Sequence, residues 1–149
     1  MEYLQLLIDK EQPEIICLQE TNFKGLSSGK IKNYKNFTKN RITDHASGGV
    51  AIYIKYAILS QEITITSNLE VVAVKVILLT NLHICNIYLP NSQQLHISEL
   101  YQIFSQLPKP FIILGDFNSH NIPWGPHKTD KRGAAIAKLI NEANLFFLT

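Results

Sequence analysis

Cysteine, methionine and tryptophan are scarce in this chain, at two, one and one among 149 residues. A fold stapled by disulfides is not expected from so few thiols. Cys17 and Cys85, each inside an apolar run, read as buried reduced side chains, with a single disulfide as the rarer alternative. Long apolar runs are also missing. No stretch reaches the ~18 uncharged apolar residues that a membrane-spanning helix needs, so no membrane partner is expected. The opening MEYLQLLIDK has neither a basic leader nor a long apolar core followed by small residues, and a secretory signal is not expected there. Excess charge of one sign is small as well, 14 Lys and Arg against 12 Asp and Glu for a net +2. Bulk charge therefore gives no argument for a polyanionic partner. Only its distribution can.

What is present has ordinary globular proportions: 46% hydrophobic and 17% charged residues, with Gly 7 and Pro 6. Collagen-like, coiled-coil and disordered classes are excluded. A single domain spanning 1–149 is expected, able to bury about 68–70% of its unfolded surface without disulfides or a structural metal. Leu4, Leu7 and Ile8 share a helical face that ends at Gln12-Pro13. The continuous apolar run Ile15–Leu18 then reads as a strand buried on both faces. From Thr21 to Thr43 there are six cations and no acid, interleaved with Phe23, Tyr34 and Phe37, which reads as a long basic surface loop.

Gly48-Gly49 opens a strand over Val50–Ile54. Alternation at Ile63 and Ile65, the β-branched run Val71–Leu79 and the segment Leu82–Tyr88 extend a meander of short strands, which favours antiparallel pairing. Leu95, Leu100, Ile103, Phe104 and Leu107 mark a helix, Phe111–Leu114 a buried strand, Ala134–Ala143 a second helix, and Leu145–Leu148 the start of a last strand. Helices at both ends of a β-rich middle predict an α/β (α+β) fold with helix-covered sheets.

Two buried strands end abruptly in polar residues, the first at Glu20 and the other at Gly115-Asp116-Phe117-Asn118. Polar groups at strand ends sit where a pocket can form without being buried unpaired. Asp116 and Asn118, two apart, project to one side if the chain stays extended. Together with Glu20 they make an oxygen-rich cluster of the hard-ligand type that suits Mg²⁺, with Mn²⁺ as the alternative. Taken singly, each has a plainer reading: a Glu after a strand as a solvated cap, and Asp-x-Asn as a turn.

Four segments in order, PEIICLQET (13–21), GGVAIY (48–53), NIYLPN (86–91) and ILGDFN (113–118), resemble the endonuclease/exonuclease/phosphatase superfamily. Ser119-His120-Asn121, Trp124-Gly125 and Arg132-Gly133 narrow the likeness to the apurinic-type endonuclease domain of non-LTR, Jockey-like retrotransposons. The resemblance implies a four-layer α/β/β/α sandwich and Mg²⁺-dependent nicking of DNA beside a reverse transcriptase. Position by position, it makes Glu20 a metal ligand, Tyr88 and Asn91 contacts of the scissile phosphate, Asp116 the group that orients or activates water, and Asn118 an amide holding the phosphate. Lys30, Lys32, Lys35 and Lys39 would meet DNA phosphates, or else form a solvated cationic loop. His120 and Trp124 would line the DNA groove, although Trp124 also suits a core plug.

The sequence departs from the family at both ends. An asparagine on a strand ahead of the first helix, a later aspartate and an Asp-His pair have no counterparts, and His45, His83, His96, His120 and His127 stand in other contexts. The domain is accordingly expected to be incomplete, lacking a first strand and C-terminal strands, and the chain by itself to nick DNA negligibly. A truncated, non-catalytic remnant with weak nucleic-acid binding is the alternative. A phosphomonoesterase or phospholipase cousin is disfavoured by the His120/Trp124 loop. Any localisation, the nucleus for the parent activity, follows only from the supposed substrate.

Overall fold

The structure, a computed structural model, describes residues 2–23, 29–41, 47–125 and 127–146. Helix α1 (Glu2–Glu11) leads into β1 (Ile15–Gln19), β2 (Tyr34–Lys39), β3 (Val50–Lys55), β4 (Ser60–Ile63), β5 (Glu70–Val76) and β6 (Leu82–Tyr88). Then come α2 (Ile97–Gln106), β7 (Phe111–Asp116), a 3₁₀ turn at Ile122–Trp124 and α3 (Lys131–Glu142). One sheet has the order β1-β3-β2 and the other β4-β5-β6-β7. All pairs are antiparallel except β6 with β7, which the α2 crossover makes parallel.

Three apolar clusters lie between successive layers and show why the apolar runs are continuous. Val50, Ile52 and Ile54 of β3 meet Val72, Val74 and Val76 of β5 and Ile84 of β6 between the two sheets. The alternate residues of β3, Ala51 and Tyr53, face α1 through Ile8. Val71, Ala73, Cys85 and Ile87 face α2 and α3 through Leu100, Ile103 and Leu139. Both faces of the central strands are thus covered, so period-2 alternation of polar residues is absent from them. The four layers are helix, sheet, sheet, helices, as the resemblance implies. Both cysteines are free, and burial pushes Cys17 up to about 11 and Cys85 up to about 12. No described helix is long and apolar enough to cross a membrane.

Several local expectations are corrected. The basic segment is not all loop, because Tyr34–Lys39 is β2, paired residue by residue with β3. Phe37 packs between the sheets, and the flanking lysines of its face reach across the sandwich edge: Lys35 Nζ donates to Ser60 O at 3.0 Å and Lys39 Nζ to Ser67 O at 2.9 Å. Long lysine stems let a cation occupy an inward-leaning position with its head on a carbonyl. The Ile63/Ile65 alternation is strand only as far as Ile63, and the run from Val71 turns after Val76.

Leu7 is half exposed while Ile8 is buried and Leu4 partly so, since the i, i+4 row meets the sheet. Helix α1 ends where Gln12 turns left-handed (φ 48°) ahead of Pro13. Helix α3 begins three residues before the apolar pattern. Asp130 accepts from Gly133 N at 2.6 Å as its N-cap, and those hydrogen bonds hold its carboxyl below the usual range. Leu145 and Phe146 are not in a strand; residues 147 and 148 of that expectation lie outside the described residues, as do Lys24 and His45.

Candidate active site

One pole of the sandwich gathers the C-terminal ends of β1, β6 and β7 with the N-terminal ends of β3 and β5. In the four-stranded sheet, Glu70, Tyr88 and Asp116 stand side by side in register. Glu20 comes from the other sheet, one residue past the end of β1. Its φ of 50° is left-handed, a conformation that costs a non-glycine residue roughly 1–2 kcal/mol. The Tyr88 hydroxyl donates to the Glu20 carboxylate across the sheets. That hydrogen bond, followed by burial and the negative charges of Glu20, Asp116 and Glu70, pushes the Tyr88 phenol up to about 12. Tyr88 is therefore a neutral donor at every ordinary pH, surrounded by acidic oxygens.

Asp116 closes β7, and its backbone oxygen accepts from Leu89 N at 2.9 Å. Gly115 before it has φ 153°, and a Cβ there would lie 1.9 Å from Ile87 O. Only glycine lets β7 run this close to β6. The expectation that Asp116 and Asn118 project from one extended strand is corrected: Asn118 is left-handed (φ 46°), and its N–H turns back to Asp116 Oδ1 at 2.9 Å. The turn still keeps the two residues together, with Asn118 Nδ2 donating to Leu89 O at 3.0 Å.

Behind these groups stand residues that sequence reasoning missed. Glu70 takes two hydrogen bonds from the Arg41 guanidinium and one from Gly49 N. Gly48 and Gly49, at φ 61° and 90°, leave the carbonyls that accept from Asn22 N (2.8 Å) and Thr21 N (3.2 Å), the two residues after Glu20. A Cβ at Gly48 would collide with Glu70 and Arg41, and one at Gly49 with Thr21. The double glycine thus lets Glu70 brace the loop carrying Glu20. Arg41, counted with the basic segment, is committed to this clasp. Asn86 and Gln19 form a second brace between the sheets. Two signals were available, an acid opening β5 and an amide inside the apolar run of β6.

Of the remaining expected residues, Asn91, His120, Trp124 and Lys39 fall toward this pole, whereas Lys32 and Lys35, at or just ahead of the end of β2 that pairs with Lys55 and Ile54, lie toward the opposite one. Asn91 is exposed in the turn after Pro90. His120 is exposed and tied to Asp130, Nδ1 to Oδ2 at 3.1 Å, while its backbone N–H donates to the same oxygen. Trp124 is half-buried, its indole donating to Ser119 O at 3.2 Å, and it lines a groove of about 590 Å³ with Asp116, Phe117 and Asn118. Lys30 and Lys32 are exposed, whereas Lys35 and Lys39 are partly buried on their carbonyl partners. Burial lowers the Lys39 ammonium from its usual range, against the opposing charge of Glu70.

The donor chemistry of Glu20, Asp116 and Tyr88 is all hard oxygen, with neither thiolate nor imidazole of the described residues among the groups acting on Tyr88. Among the described residues no three His, Cys, Asp or Glu side chains stand close enough to enclose a metal. Such a set fits Mg²⁺ or Mn²⁺ held by one or two carboxylates and otherwise by water and substrate oxygens, rather than a closed protein cage.

Comparison with known proteins agrees with the architecture. The chain is 25% identical over 141 residues to a probable RNA-directed DNA polymerase from transposon X-element of Drosophila melanogaster, which covers 92% of the chain and 16% of that protein. Its fold matches the endonuclease domain of TRAS1, a telomere-specific non-LTR retrotransposon, with a TM-score of 0.76 and 17% identity over 95% of the chain and 63% of that domain. The 2',3'-cyclic phosphatase ANGEL2 shares the fold more distantly, with a TM-score of 0.53 and 16% identity over 80% of the chain and 44% of that protein. A sequence profile of the endonuclease/exonuclease/phosphatase family matches residues 1–147, and the chain belongs to that family.

Proposed function

We propose that this chain is part of the DNA-nicking endonuclease of a non-LTR retrotransposon polyprotein that also carries a reverse transcriptase, and that its site hydrolyses a phosphodiester with Mg²⁺ or Mn²⁺. The observation that carries the proposal is the meeting of Glu20, Tyr88 and Asp116 from two sheets at one pole. A phosphodiester is anionic, and hydrolysis adds charge to its nonbridging and leaving oxygens. Tyr88, kept neutral, would turn its one hydroxyl hydrogen from Glu20 to a nonbridging oxygen when the phosphate binds, without adding negative charge. The Asn118 and Asn91 amides hold the same phosphate, and Asp116 orients the attacking water and accepts its proton. Glu20 would hold the metal, which when bound supplies Lewis-acid stabilisation of the developing charge. Lys30 and Lys32 meet the DNA backbone where it runs along the sandwich away from the cleft, Trp124 borders the groove beside Asp116, and His120 contacts DNA from the exposed loop next to it.

A second reading, binding without turnover, is favoured by a specific observation: among the described residues no histidine acts on Tyr88, and His120 is engaged by Asp130. Relaxation of supercoiled plasmid in Mg²⁺ separates the two. A polypeptide carrying this chain together with a following Asp-His pair is expected to relax the plasmid and to lose that activity in Asp116→Ala, while the 149-residue chain binds DNA in a salt-dependent way with negligible relaxation. Relaxation by the 149-residue chain that disappears in Asp116→Ala would remove the second reading. A longer polypeptide that stays inactive would remove the first.

A further inference from the structure

The two groups that must meet at the site, Glu20 and Tyr88, belong to different sheets, and the interior between those sheets is mostly aliphatic. Aliphatic packing is non-directional and tolerates small sliding of one sheet over the other. A catalytic constellation needs its members held to about 0.5 Å. Something directional must therefore register the sheets near this pole.

Asn86 has the right address. Of the buried polar side chains among the described residues, His83, Asn86 and Asn121, Asn86 is the one on the β6 face shared with Ile84 and Tyr88, which looks toward the other sheet. It is fully buried. Its Nδ2 donates to Leu18 O of β1 at 2.9 Å and to Ala51 O of β3 at 3.0 Å, and its Oδ1 accepts from Gln19 Nε2 at 2.5 Å. Leu18 and Ala51 are register partners, so one amide grips a rung of one sheet from the other. Both amide hydrogens are used and the carbonyl is used, which makes the group rigid as well as affordable in a dry interior. Gln19 directly precedes Glu20, and Asn86 precedes Tyr88 by two residues on the same strand face.

We propose that Asn86 and Gln19 form a cross-sheet amide clamp that sets the position of Glu20 relative to Tyr88. They are positioning residues that touch no substrate and act through the two groups that do. The proposal takes the phosphodiester-cleaving site as its setting, but its geometry is testable without DNA.

The test measures the separation of the Tyr88 hydroxyl and the residue-20 side chain in crystal structures of the full chain and its variants at neutral pH. In the parent chain the two groups are hydrogen-bonded, and Glu20→Ala supplies the reference for complete loss of that bond. Asn86→Leu keeps the branched side-chain shape and removes the clamp. Gln19→Leu is the milder variant, removing one partly buried donor, and decides the matter if Asn86→Leu does not fold. The clamp predicts that a variant with a native circular-dichroism spectrum loses the Tyr88–Glu20 hydrogen bond, the two groups parting by more than about 0.5 Å. Variants that lose thermal stability while Tyr88 stays bonded to Glu20 would overturn it, leaving Asn86 as a core polar group only. Because the readout needs neither turnover nor DNA, a chain that never nicks plasmid still decides it.

Discussion

The two poles of the sandwich are built by opposite rules. At the pole away from Glu20, the turn after β3 and the turn after β5 lie together, joined by Ile77 N to Leu59 O at 2.9 Å. They carry Tyr56, Leu59, Leu78 and Leu79 in the open, Leu79 fully so. Left-handed residues near that end are Asn33 and Gln12, a turn amide and a helix cap, both routine punctuation. At the Glu20 pole, left-handed backbone falls on Glu20 and Asn118 themselves and on the glycines that brace them, while Glu70, Arg41, Asn86 and Gln19 interlock behind. Backbone strain on functional side chains, together with full use of the polar groups behind them, is the signature of a site held in one geometry. The contrast teaches that the ends of a sandwich are not equivalent even where its middle is uniform.

The largest effect expected is on turnover. In a polypeptide that nicks plasmid, Asp116→Ala is expected to cut the rate by at least about 100-fold, whereas Leu79→Ser at the other pole leaves the rate within twofold. Next comes stability. Gly115→Ala forces a Cβ against Ile87 O at a backbone angle that only glycine favours and is expected to cost about 2–4 kcal/mol in urea denaturation. Leu79→Ser should cost less than about 0.5 kcal/mol.

The third expectation concerns pH. Because the folded Tyr88 phenol is raised to about 12, it contributes stability that is whole below pH about 10, the ordinary tyrosine value, and is lost as pH rises through the folded value. Unfolding midpoints from pH 9 to 12 should fall more steeply in the wild type than in Tyr88→Phe. Equal slopes would show that Glu20 does not hold the phenol.

The smallest effect divides the basic segment itself. Neutralising Lys30 and Lys32 as glutamines should reduce the slope of log affinity against log salt by roughly 2 in DNA binding. Lys35→Met and Lys39→Met, whose heads lie on carbonyls, should leave the slope nearly unchanged while lowering stability. An equal slope change for both pairs would make the strand lysines DNA contacts too.

Most of the fold was legible because its strands are apolar runs. Val50–Ile54 is buried on both faces as expected, but Ile15–Leu18 and Phe111–Leu114 are corrected to partly buried edge strands, each with a partner on one side only among the described residues and Leu114 exposed. The strand ends were legible for the same reason, since Glu20 and Asp116 interrupt apolar runs abruptly. Strand β2 was hidden by its own lysines, whose charge suggested solvent while their stems lie along the sandwich edge. Glu70 and Asn86 were hidden by distance. Glu70 closes on Arg41 from 29 residues away, and Asn86 on Gln19 and Leu18 from 67 and 68. No local period encodes such partners. They follow only from stacking the two sheets.

The claim that the Glu20 pole is a cation-dependent site is tested most directly by adding Mn²⁺ to isotopically labelled protein and mapping paramagnetic broadening. The expected result is broadening centred on the amide signals of Glu20, Tyr88 and Asp116, absent at Leu59 and Leu79 and abolished by Glu20→Gln. Broadening that is spread over the surface, or that survives Glu20→Gln unchanged, would contradict it.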